Sequence, residues 1–239
     1  SIEIFLPVEH EELQLSIHET GSIVLPARFF GEIVKKLPQN TFTLETNYQL
    51  QATITAGSAA FTLNGLSAHD YPQLPEVEKD HVLTLPVPLF RQVILQTSIA
   101  VSTAESRPIL TGIHMVIANN QLKAVATDSH RLSQRIIPLE MPETSNALTF
   151  EITLPGKTLI ELSRIIDGLE TIDFAITENQ VLFQTETLSF YSRLLEGRYP
   201  DTDRLINDQF NTAITVVASD LVAAVDRASL MSHTDKNNI

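Results

Sequence analysis

A chain of 239 residues can hold one large domain or two ordinary ones, each able to bury its own core. It contains no Cys and no Trp, which excludes disulfide frameworks and thiolate metal sites and fits a reducing cytosol; its apolar runs, such as 113–118 broken by His114, fall far short of a membrane span, so a soluble protein is expected. The formal net charge of -13 argues against nucleic acid if it is spread evenly, because phosphate neutralisation needs Lys and Arg, but net charge does not say where the charges sit.

The first residues, Ser1-Ile2-Glu3-Ile4-Phe5, enter mid-strand without Met and without a basic or cleavable apolar segment. The last ones, His233-Thr234-Asp235-Lys236-Asn237-Asn238-Ile239, are polar and stop abruptly. Both ends of a longer protein are expected to be missing. Further along, His10 stands among Glu9, Glu11 and Glu12; no second His has a useful helical spacing, so a solvated acidic turn is expected there rather than a metal site.

An internal repeat then dominates the chain. Ser22-Ile23-Val24-Leu25-Pro26-Ala27-Arg28-Phe29-Phe30 is followed by Val82-Leu83-Thr84-Leu85-Pro86-Val87-Pro88-Leu89-Phe90 and by Glu151-Ile152-Thr153-Leu154-Pro155-Gly156-Lys157-Thr158-Leu159. A weaker copy is Ala213-Ile214-Thr215-Val216-Val217-Ala218-Ser219-Asp220-Leu221. Each is a β-branched alternating run, then a Pro or Ser-Asp that ends the strand and starts a helix, then helically spaced apolar residues. Pro26, Pro86, Pro155 and Ser219 stand 60, 69 and 64 residues apart, too regular for chance. A longer period is also present, since Asp70-Tyr71-Pro72 and Arg198-Tyr199-Pro200-Asp201 correspond 128 residues apart. Two units therefore make one domain.

Between the helices lie alternating runs at 41–50, 51–56, 59–66, 112–118, 121–126, 172–177 and 180–185, separated by turn formers such as Asn119-Asn120 and Glu178-Asn179. The unit reads as strand, helix, then about three antiparallel strands, and the class as α+β with helices on one face of the sheets.

The helices separate the charges. Over 26–37, Phe29, Phe30, Ile33, Val34 and Leu37 form the expected core stripe, with Arg28, Lys35 and Lys36 elsewhere. Leu89, Phe90, Val93 and Ile94 leave Arg91 outward; Leu159, Leu162 and Ile166 leave Lys157 and Arg164 outward; Leu221, Val222 and Val225 leave Arg227 outward. Stretches 26–37, 86–102, 155–168 and 219–231 together hold seven Lys or Arg against five Asp or Glu. The rest of the chain is therefore strongly acidic. Any one such helix reads as an ordinary solvated face; four of them suggest a surface that meets phosphate, on a molecule whose acidic sheets avoid non-specific sticking.

Thr127-Asp128-Ser129-His130-Arg131-Leu132 invites a hydrolase reading, but neighbours on a turn point in different directions, whereas a nucleophile, its base and its orienter must converge. No Gly-rich phosphate loop is present, and no cofactor or metal is expected.

Several separate motifs, in order along the whole chain, resemble the bacterial DNA polymerase III β subunit family, the sliding clamps. They are Arg107-Pro108-Ile109-Leu110-Thr111-Gly112, Ala126-Thr127-Asp128-Ser129-His130-Arg131-Leu132, Leu154-Pro155-Gly156-Lys157, Glu196-Gly197-Arg198-Tyr199-Pro200-Asp201 and Arg227-Ala228-Ser229-Leu230-Met231. Ser129 departs from the pattern, since many members have Gly there. The resemblance implies a DNA-clamp fold with helices lining the inner face and sheets outside. It assigns 1–79 to the later part of the first domain, 80–207 to the complete middle domain and 208–239 to the beginning of the third. It implies a non-catalytic processivity factor, a cytoplasmic bacterial protein associated with the nucleoid during replication. The partners it implies are double-stranded DNA, the DNA polymerase III catalytic subunit, the clamp loader and other proteins carrying a clamp-binding motif, with a head-to-tail homodimer ring when full length. Arg28, Lys35, Lys36, Arg91, Arg107, Lys157, Arg164 and Arg227 form the expected DNA-facing set. Leu110, Thr127, Ser129, His130, Arg131, Leu132, Pro200, Arg204 and Leu205 map onto the peptide-binding pocket. Two other classes stay open from the residues alone: a repeat-built interaction protein with no DNA role, and a hydrolase using Asp128, Ser129 and His130.

Overall fold

A computed structural model of the chain describes residues 1–6, 8, 15–72, 82–139, 149–177, 179–206 and 209–230. The acidic run at His10, the turn residue Glu178, the tail from Met231 and the expected boundaries near 79 and 207 lie outside the described residues. The chain divides into two compact units, Ser1–Tyr199 and Pro200–Ile239.

In the first unit the Leu-Pro signal does what its chemistry dictates. Strand β5 (Val82–Pro86) runs into helix α2 (Val87–Ser98), and strand β9 (Phe150–Pro155) into helix α3 (Gly156–Ile165). Helix α1 (Ala27–Val34) likewise follows Pro26. The three prolines have φ of -63°, -66° and -55° with extended ψ, and none of these helices has a side-chain N-cap hydrogen bond. Proline's fixed φ and missing N–H serve as both strand terminator and helix entrance.

The other strands are β1 (Ile2–Ile4), β2 (Thr43–Thr46), β3 (Gln51–Ala56), β4 (Ala59–Asn64), β6 (Gly112–Ala118), β7 (Gln121–Thr127), β8 (Leu132–Pro138), β10 (Thr171–Ile176), β11 (Gln180–Gln184) and β12 (Leu188–Arg193). They form three antiparallel sheets, ordered β1-β12-β11-β10-β5, β2-β3-β4 and β8-β7-β6-β9. The β6–β7 hairpin turns on Asn119 and Asn120, both at positive φ (51° and 58°), as a two-residue turn matched to strand twist requires. Gly112 opens β6 where a Cβ would lie 2.6 Å from the side chains of Leu195 and Thr153. Only glycine allows that approach.

The core lies between α2, α3 and two of the sheets. Phe90 and Ile94 of α2, Leu159 and Leu162 of α3, Ile113 and Ile117 of β6, and Phe183 of β11 are all fully buried. Phe183 gathers the aromatic cluster: its ring centroid lies 5.7 Å from Phe90, 5.0 Å from Phe174 and 6.3 Å from Phe190. Burying a ring of this size is worth roughly 2–3 kcal/mol relative to exposure, so this cluster is the seam between helix α2 and the five-stranded sheet.

Four expectations need correction. The strand expected before α1 is a single bridge, Val24 to Leu66. The run expected over 41–50 is a strand only to Thr46, because the Asn47 side chain accepts from the Gln49 and Gln51 amides and folds the chain into a turn. Phe29 is not core: it is 59 % exposed, since nothing among the described residues covers it, while Phe30 meets Phe42 edge-on at 6.4 Å.

The fourth falls in the second unit, which contains helix α4 (Ala218–Ser229). No strand forms over 213–217 among the described residues, because alternation makes a strand only where a partner completes its hydrogen bonds. The α4 stripe of Leu221, Val222 and Val225 is exposed. No described helix in either unit is long and apolar enough to cross a membrane.

Candidate functional site

The helix cations differ in how free they are. Arg28 is exposed on α1, and its Nε bonds Glu32 Oε1 one turn on at 3.2 Å; such a solvated pair is worth only about 0.3–0.5 kcal/mol and yields readily to phosphate. Lys35 and Lys36 follow the last turn of α1, both exposed, where the negative end of the helix dipole favours them. Lys157 in the first turn of α3 and Arg164 in its last are exposed. Lys157 is placed where the dipole disfavours a cation, so helix stability does not account for it. Arg107 is exposed just before the short helical turn Pro108–Thr111. In the second unit, Arg227 is exposed on α4.

Arg91 is different. Its side chain is 29 % exposed, its Nε donates to the Ser163 carbonyl at 2.8 Å, and its Nη1 pairs with Asp167. It is not the outward cation expected from helix spacing, because the neighbouring helix α3 presents an acceptor and a carboxylate to it. Sequence offers no sign of this pairing across 76 positions.

The 127–132 segment forms a tight turn between β7 and β8. Thr127 is buried; its Oγ1 donates to the Arg131 carbonyl at 2.7 Å and accepts from the Ser129 amide at 3.1 Å. Asp128 Oδ1 accepts from the His130 and Arg131 amides at 2.9 and 3.0 Å, and its Oδ2 from Arg131 Nε at 3.0 Å. The His130 amide, followed by the amide and charge of Arg131, outweighs the opposing desolvation and holds this carboxyl below its usual range. Asp128 thus shapes the turn, and the His130 ring is not among its partners. A hydrolytic Asp-Ser-His relay is not assembled here.

The turn leaves Ser129, His130 and Arg131 exposed and Leu132 half-buried. Ser129 sits at φ 79°, a left-handed conformation that glycine adopts without strain and other residues at a cost of about 1–2 kcal/mol. Leu110, expected as a pocket wall, is only 2 % exposed: the turn Pro108–Thr111 folds it into the core, and its carbonyl accepts from the Ser102 amide at 2.9 Å. Pro200, Arg204 and Leu205 belong to the second unit, where Arg204 Nε lies 3.6 Å from Asp201 and Leu205 is 67 % exposed.

Sequence reasoning named Tyr199 within the long repeat and the family motif but gave it no role at the site. Its ring is buried and stacked on His114, centroids 4.6 Å apart and planes within 5°, and its hydroxyl accepts from the Thr127 amide at 3.0 Å. Burial pushes its phenol up from the ordinary value, the Thr127 hydrogen bond partly opposing. Among the described residues no group of three or more His, Asp or Glu could hold a metal ion.

Proline-started helices combined with antiparallel sheets, and exposed cations at several helix positions, define an α+β protein. Two family models match the chain: DNA polymerase III beta subunit, N-terminal domain, over residues 1–75, and DNA polymerase III beta subunit, central domain, over 84–201. The chain belongs to the DNA polymerase III beta subunit family. It is similar to the beta sliding clamp of Bacillus subtilis (strain 168), 46 % identical over 241 residues, and to that of Staphylococcus aureus (strain Mu50), 45 % identical over 243, each match taking in 100 % of this chain. It spans 63 % of the length of these curated relatives. Among solved structures, the DNA polymerase sliding clamp from Bacillus subtilis matches with a TM-score of 0.91 at 45 % identity, over 99 % of this chain and 62 % of that one. The DNA polymerase III beta chain from Streptococcus pneumoniae TIGR4 gives 0.89 at 42 %, over 96 % and 60 %.

Proposed function

We propose that this chain works as part of a ring-shaped sliding clamp, a non-catalytic processivity factor that encircles duplex DNA and tethers the replicative polymerase and other replication and repair proteins through a peptide-binding pocket. The observation that carries the reading is that the whole chain, through two successive family domains, follows sliding clamps in sequence and in fold. Residues 1–79 would be the later part of the first domain, 80–207 the middle domain and 208–239 the opening of the third. Two whole subunits, joined head to tail, close the ring, and a clamp loader places it on DNA in the bacterial cytoplasm, at the nucleoid during replication.

The physics of the task fits the surface. A ring that slides needs contacts to the phosphate backbone and none to base edges, since base-specific bonds would arrest it. Exposed Arg28, Lys35, Lys36, Arg107, Lys157, Arg164 and Arg227 supply that kind of contact, while the acidic remainder repels DNA from the outside. Enclosure turns each rebinding of a tethered polymerase into an intramolecular event at high effective concentration. The 127–132 turn offers a half-buried Leu132 with His130 and Arg131 at the rim, which suits a short peptide with apolar anchors and an acidic or polar flank.

The test is topological. Full-length protein loaded on circular duplex should stay bound through gel filtration and come off when the circle is cut once. Equal retention on circular and linear DNA would refute encirclement.

A further inference from the structure

We propose that Tyr199 is a positioning residue for the peptide-binding turn at 127–132: its hydroxyl closes the end of strand β7 and holds the turn in the form a partner peptide meets. The inference rests on the peptide-pocket reading above. The β6–β7 ladder runs from Ala118 paired with Gln121 to His114 paired with Val125 and goes no further. Thr127 lies two residues beyond that last pair, is only 6 % exposed, and has an amide that no backbone carbonyl of β6 receives. A buried N–H in that position must find another acceptor, and the Tyr199 hydroxyl is the one it has, at 3.0 Å.

The phenol is itself held. Its ring lies flat on His114, whose Nδ1 is 3.1 Å from Thr153 Oγ1 and whose Nε2 is 3.7 Å from Glu151. Strand β9 thereby fixes His114, His114 fixes Tyr199, and Tyr199 fixes Thr127. The chain of contacts continues into the turn, because Thr127 Oγ1 bonds both the Arg131 carbonyl and the Ser129 amide. One residue therefore sets the backbone from which Ser129, His130 and Arg131 project. A turn ordered before binding spares the peptide that ordering cost.

The experiment uses full-length protein and a fluorescein-labelled peptide of the replicative polymerase's tail, read by anisotropy. Tyr199→Phe keeps the ring and its stack and removes only the acceptor. Affinity should fall about 5- to 10-fold, the scale of leaving one buried amide unsatisfied. Hydrogen exchange should rise across 127–132 and stay unchanged in β10 and β11, with retention on circular DNA as the control that the ring is intact. A general loss of stability would instead raise exchange everywhere. Leu132→Ala separates the two layers of argument: if it weakens the peptide while Tyr199→Phe stays within twofold of wild type, the positioning role is overturned and the pocket stands. If neither changes affinity, or wild type does not bind, the pocket reading fails and the inference with it. A measurement on wild type alone covers the case of a poorly folded variant. The buried Thr127 amide should exchange more slowly than the amide of the exposed residue His130, which bonds only the Asp128 side chain within the turn, and equal or faster exchange overturns the proposal.

Discussion

Replacing Arg91 by Ala distinguishes a cation that holds the helices together from one that meets DNA. The guanidinium donates to the Ser163 carbonyl at 2.8 Å from a side chain that is 29 % exposed, and pairs with an Asp167 that is 61 % exposed. A charge-assisted bond to a carbonyl is worth about 1.5–3 kcal/mol, reduced here by the residual exposure, and the pair with a solvated carboxylate adds less than about 1 kcal/mol. Arg91→Ala should therefore destabilise by about 2 kcal/mol, seen as a lower urea midpoint. Its effect on DNA should be smaller than that of Lys157→Ala or Arg164→Ala, because Asp167 already neutralises the charge. The assay is a pair of measurements on the full-length protein: urea unfolding, and DNA affinity across a salt series. An unchanged midpoint together with a salt slope lowered as much as by Lys157→Ala would refute the reasoning and return Arg91 to the DNA-facing set.

Charge-neutral replacement of Lys157 and Arg164 should weaken DNA binding by similar factors for every sequence tested and lower the salt slope by about 0.9 for each phosphate no longer neutralised; a sequence-selective loss would contradict a sliding contact. Ser129→Gly should stabilise the protein by about 0.5–1 kcal/mol, since relief of left-handed strain at φ 79° exceeds the extra unfolded-state entropy of glycine; an unchanged urea midpoint would show that the turn absorbs the strain. Asp128 is held below its ordinary value by the His130 amide and by Arg131, so its contribution to stability is complete above the unfolded value of about 3.9 and is lost as pH falls from there through the folded value. Carbon-detected titration of the Asp128 carboxyl checks this, and a midpoint at or above about 3.9 would remove the cause.

Local chemistry was legible from residues alone. The starts of α2 and α3 follow from Pro86 and Pro155, because proline sets its own φ whatever surrounds it, and the β6–β7 turn follows from two adjacent Asn that tolerate positive φ. The same rules misjudged 213–217 and Phe29, since a strand or a core position exists only where something else completes it. The cations Lys157 and Arg164 were placed correctly on an exposed face because helical period is a local property. Leu110 and Arg91 were not, because a hydrophobic residue after Pro-Ile and an arginine on a helix look the same whether or not a distant element receives them.

What only the tertiary structure decided are the meetings across long separations. Ile2 of β1 pairs with Phe190 of β12, Arg91 finds Asp167, and the phenol of Tyr199 takes the amide of Thr127. Sequence specifies which groups a residue offers and the short-range geometry that offers them. Which partner receives them depends on chain segments brought together by burial of a shared core. Burial is driven by apolar area and is indifferent to which residues supply it, so those pairings had to be read from the fold.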